Sequence, residues 1–147
     1  MSAASNYLED ALLDHVLRNT AYSQPSALYV GLFTSDPTDA DSGTEIAGSS
    51  YARTSATMGA ASSGTASNSA DITFPAATGS WGTITHIGIY DASSAGNLLF
   101  HGAVTTQKTI SSGDTFQISS GSLTISSTAF TSWTSSRQSW RPSTSTV

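Results

Sequence analysis

His15, His86 and His101 are the only histidines in this chain, and there is no cysteine. Any metal site built on imidazole or thiolate would have to draw on those three rings. His86 and His101 sit in two β-like runs, "TITHIGIY" from Thr83 to Tyr90 and "LLFHGAV" from Leu98 to Val104, joined by the turn "DASSAGN". Pairing Tyr90 with Leu98 across that hairpin opposes His86 to Gly102 and His101 to Ile87. The two rings then fall on opposite faces of the sheet, and a one-residue slip would bring them together. With no carboxylate near His86 or His101 in the sequence, the three histidines read as structural, and no metal site is expected.

Asp36, Asp39, Asp41 and Glu45 crowd one loop, "SDPTDADSGTE". An EF-hand loop needs oxygen ligands at its first, third and fifth positions and glycine at the sixth. Starting from Asp39, Gly43 comes fifth and Thr44 sixth, so the pattern fails. A Pro-Asp turn with solvated carboxylates is the expectation, with a looser calcium site as the alternative. Serine is abundant, but no G-x-S-x-G elbow occurs and no Ser or Asp sits where a histidine would activate it. No residue set fills the roles of nucleophile, base and orienter together, so neither an enzyme nor a cofactor is expected. Trp81, Trp133 and Trp140 have the rings for sugar platforms, although large aromatics more often serve core or interface.

Few elements are available to position these groups. "SNYLEDALLDHVLRN" is the one convincing helix, from about residue 5 to 18, with Asn6 as cap, Glu9 three residues on, and Ser5 as a competing cap. Leu8, Leu12, His15 and Val16 share one face at the helical period and form its candidate packing stripe. "ALYVGLFT", Ala27 to Thr34, is apolar on both parities and predicts a central strand covered on both sides, with the helix on one of them. "YARTSATM", "DITF", "DTFQIS" and "GSLTIS" supply further short strands. Gly59 to Ala70 contains only Gly, Ala, Ser, Thr and Asn and reads as an excursion with nothing to pack. The pattern predicts a mainly β fold, a β-sandwich or jelly-roll-like domain with one N-terminal amphipathic helix. Single-sheet and open-barrel arrangements are the alternatives.

At 147 residues the chain is the size of one domain. Residues 1–126 read as that β domain and residues 127–147 as a polar C-terminal arm. Ten acids against five bases give a net charge of −5, which leaves no cationic excess for phosphate, so nucleic acid is not an expected partner. No apolar run reaches the length of a membrane span and no signal peptide is apparent, so no membrane association is expected.

The segments "SNYLEDALLDHVL", "ALYVGLFTSDPTDA", "SYART", "NSADITFPAATGSWGTITHIGIYDA" and "GNLLFHGAV" together resemble a family of small tailed-bacteriophage virion proteins, often labelled tail fibre proteins. The likeness runs from Ser5 to Ser126 and rests on the ordered succession of motifs. It implies a non-enzymatic structural protein, assembled in the host cytoplasm and carried on the surface of the phage particle. A compact domain without a repeated shaft suits a head decoration or cement protein that binds and stabilises the capsid. The alternative is a tail fibre or tail-tip component that contributes to host receptor or glycan binding. Expected partners are the major capsid protein or other virion subunits, in a homo-oligomer or multi-copy assembly. Phe130, Trp133, Arg137, Trp140 and Arg141 are the candidate interface residues, because an arm of this composition gains order by burying aromatics in a neighbour. A terminal strand closing the chain's own sheet is the competing expectation for "TAFTSW".

Overall fold

A computed structural model describes residues 2–127. In chain order the elements are β1 (Ser2–Ala4), α1 (Asn6–Leu17), β2 (Leu28–Phe33), β3 (Thr54–Ala56), β4 (Thr65–Ser67), β5 (Ile72–Thr73), β6 (Gly82–Tyr90), β7 (Leu98–Ile110), β8 (Gln117–Ile118) and β9 (Thr124–Ser126). The fold is mainly β. A five-stranded antiparallel sheet runs in the order β1-β7-β6-β2-β3, and two small antiparallel pairs, β4-β9 and β5-β8, cover one of its faces.

The core lies between those layers. Val30, Leu32, Ile84 and Ile89 from the large sheet meet Ile72, Phe74, Ala77, Trp81 and Leu123 from the covering segments. Burial of each large side chain contributes about 1.5–3 kcal/mol, so this alternation specifies which face turns inward. Tyr51 stacks on Phe74 and meets Trp81 edge-on, with ring centroids 6.3 and 5.4 Å away. Trp81 can enter the core because its indole N–H donates to the carbonyl of Ser49 at 3.0 Å.

One irregularity places the helix. β6 pairs Ile89 with Phe100 and Tyr90 with Leu98, so Leu99 is an extra residue that bulges out of the ladder. Its side chain packs with Ala4 and Leu8, and that cluster is where α1 docks. Ser5 is the helix cap: its hydroxyl accepts from the amide of Leu8 and donates to the carbonyl of Leu98. The expected stripe is only partly used. Leu8 is buried and Leu12 half-buried against the cluster, while His15 and Val16 face solvent, Val16 at 75% exposure. The helix touches the sheet only through its first two turns, because the bulge and β1 form a contact no longer than that. The helix ends where Arg18 closes the last turn and Asn19 takes a left-handed conformation.

Two further expectations change. The second face of β2 is covered chiefly by the acidic loop and by the Phe33, Tyr90 and Leu98 cluster, whereas α1 lies toward the β1 edge. The stretch from Gly59 to Ala70 is not an empty excursion, since β4 pairs with β9 and leads into a buried Asn68. Asn68 donates to the carbonyls of Ala70 and Ser119 and accepts from the amide of Leu123, at 2.8–3.0 Å. One amide side chain thus ties three backbone segments that carry little apolar content. The proposed arm, with Phe130, Trp133, Arg137, Trp140 and Arg141, lies outside the described residues.

Candidate functional site

The outer face of the large sheet brings together Asp36, Asp39, Asp41, Glu45, Arg53, His86 and His101. Beyond the Leu99 bulge, β7 pairs His101 with Gly88 and Ala103 with His86. This is the one-residue slip of the simplest hairpin register, and it brings both imidazoles to the same face. Gly31 opposes Gly88 on that face. A Cβ at Gly31 would lie 2.9 Å from the Glu45 carboxylate, and one at Gly88 would press on Leu98, Phe33 and Tyr90 at 2.9–3.1 Å. The glycine pair therefore makes the floor on which the loop and the aromatic rings rest.

The acidic loop folds back onto this floor, so its carboxylates are not simply solvated. Asp39 contacts Nε2 of His101 at 2.9 Å, while Asp36 lies 3.4 Å from Nδ1 of His101 and 3.9 Å from Nε2 of His86. Asp41 accepts from the Tyr90 hydroxyl at 2.5 Å. Local geometry shapes the loop: Asp36 accepts from the amide of Thr38, and the amide of Ser42 donates to the Pro37 carbonyl. Gly43 is required there, since a Cβ would stand 2.6 Å from Pro37 Cα and 2.7 Å from the Asp36 carbonyl. The amide of Asn6 donates to the Asp39 carbonyl at 3.0 Å, joining loop to helix.

Beside it lies a second fastening. Arg53 makes a bidentate pair with Glu45 at 2.7 and 2.8 Å, donates to the carbonyls of Ala92 and Ala95, and sits 3.4 Å above the Tyr90 ring. Tyr51 donates to Glu45 at 2.8 Å and accepts from the amide of Leu32. That amide lies beyond the end of the β2–β3 ladder, and the phenol supplies its missing partner.

Burial pushes both the Tyr51 and the Tyr90 phenols well above the ordinary tyrosine range, and the adjoining carboxylates of Glu45 and Asp41 add to the shift. The fold thus favours the neutral phenols. Their contribution to stability is intact below about pH 10 and is lost as pH rises above it, where the unfolded chain gives up phenolic protons first. In an alkaline titration, difference spectra against Tyr51→Phe and Tyr90→Phe should show these two phenolates appearing only together with unfolding. Reversible ionisation within an intact fold would contradict the geometry.

The arrangement is a clamp in chemical terms. Both nitrogens of the buried His101 face carboxylates, and Nδ1 of His86 is 2.9 Å from the Thr85 hydroxyl. Among the described residues, no group of three or more His, Cys, Asp or Glu is arranged to hold a metal ion. Asp36 and Asp39 keep more than half of their side-chain surface in water. Asp39 and Asp41 rim a hollow of about 210 Å³ bounded also by Asn6, Tyr7 and Asn97. This acidic rim, held rigidly by the sheet beneath it, is the candidate contact surface. Sequence reasoning found the acids but missed their histidine partners, because the contact depends on the bulge.

Residues 3–126 match the family described as podophage GP4 fiber I protein gp80. The chain belongs to this family. The match spans the whole described fold except its last residue and its first, including the loop, the hairpin and the Asn68 crossing. The fibre-protein family makes the chain a structural component of a bacteriophage virion. No curated protein matches it, and no helix among the described residues is long and apolar enough to cross a membrane.

Proposed function

We infer that this protein is a non-enzymatic structural component of the phage tail fibre apparatus, exposed on the particle and assembled with other virion subunits. The observation that carries the reading is the match of residues 3–126 to a podophage fiber protein family. It favours the tail over the head-decoration role that compactness alone suggested. The geometry suits such a part. A small antiparallel core fixes the sheet, while the Asp–His, Tyr–Asp and Arg–Glu fastenings hold an acidic rim in one shape.

Removing the gene from the phage tests it. Particles should still carry intact, DNA-filled heads, but should attach to host cells far more slowly, and the protein supplied in trans should restore attachment. Heads that leak or burst, with attachment by the surviving particles unchanged, would transfer the role to the capsid.

A further inference from the structure

On the opposite face from the acidic loop, the two layers part and leave a groove of about 610 Å³. Its floor is Ile87, Ile89 and Phe100 of the large sheet, and its far wall is Phe116, Ile118 and Ile125 of the covering layer. All six also border the main core, so the groove is an apolar continuation of that core that the described residues leave unfilled. Its rim has open backbone as well. Between the pairs Ile84–Lys108 and His86–Ala103, β6 contributes only Thr85 while β7 contributes Val104 to Gln107, and β1 covers β7 no further than Gly102. A slot with apolar walls and unpaired strand backbone at its edge fits an extended peptide, which can supply side chains and backbone bonds together.

We propose that the occupant is the chain's own C-terminal segment, residues 128–147, entering the groove with Phe130 and Trp133. Ile125 is a wall residue of the groove and the described chain ends at Ser127, so the segment starts at the groove's rim. Its effective concentration there exceeds that of any second copy, since almost no linker intervenes. Of the two expectations for this segment, an arm for a neighbour or an addition to its own fold, the groove selects the second.

Hydrogen exchange on the full-length protein tests this with the variant Phe130→Ser, Trp133→Ser and, from the other side, Val104→Arg. Both should speed exchange at the amides of Gly102 to Lys108 and Gln117 to Ile125 by at least about tenfold, with β2 and the central part of β6 unchanged. In the parent the protection should be independent of protein concentration. Equal exchange in parent and variants overturns the proposal. Protection that fades on dilution also overturns it, and assigns the groove to a second copy. Global loss of protection in the Val104→Arg protein alone leaves the serine double variant to decide by the same criterion.

Discussion

Replacing Arg53 by alanine is expected to lower stability by about 3–5 kcal/mol, the range found when one partner of a buried ion pair is removed. The side chain of Arg53 is 10% exposed and that of Glu45 is 25% exposed, so water replaces little of what is lost. The substitution strands the Glu45 carboxylate with Tyr51 as its remaining side-chain donor, frees the Ala92 and Ala95 carbonyls at the hairpin tip, and uncovers the Tyr90 ring. Burial works against the Arg53 charge, but the hydrogen bonds and charge of Glu45 outweigh it and raise its pKa. Arg53→Lys should recover only part of the loss, because an ammonium cannot form the fork to Glu45 and lie flat on Tyr90 at once. Urea unfolding of parent, Arg53→Ala and Arg53→Lys measures both effects. A change under about 1 kcal/mol for Arg53→Ala would place the pair with ordinary surface salt bridges.

Asn68→Ala is the second large effect. It removes two donated bonds and one accepted bond from a side chain that is 2% exposed, leaving the buried Leu123 amide without that acceptor and the Ser119 carbonyl with the amide of Ser122 as its remaining donor. A buried group left unsatisfied costs about 1–3 kcal/mol, and the Leu123 amide alone should cost that much. Asn68→Asp should also be damaging, since it keeps the acceptor but replaces the two-bond donor with a buried carboxylate facing carbonyls. The calorimetric melting temperature reports both. An Asn68→Ala protein that melts with the parent would mean that β4-β9 and the Ser119 turn hold together without this crossing.

These two residues also show where the sequence was readable and where it was not. The capped helix, the β2 strand, the Thr83–Val104 hairpin and the short strands near Ile72, Ile118 and Ile125 all follow from local periodicity and turn chemistry. Asn68 does not, because it stands in a run without apolar period and all of its value comes from partners far along the chain. Leu99 is equally silent. Nothing in "LLFHGAV" distinguishes a bulged leucine from a paired one, yet that bulge docks the helix, slips the hairpin register and gathers the His–Asp cluster. Asp36 and Asp39, which looked solvated, became partners of His101 through that one displacement. Val16 shows the reverse error: its spacing fits the helix stripe, but spacing carries no information on how far the sheet extends beneath the helix.

A place in the tail fibre apparatus is tested most directly by copy number in purified, DNA-filled virions, measured by quantitative mass spectrometry against the major capsid protein. A tail fibre part should be present in a handful of copies per particle. Hundreds of copies, in a fixed ratio to the capsid subunit, would contradict it and place the protein on the head.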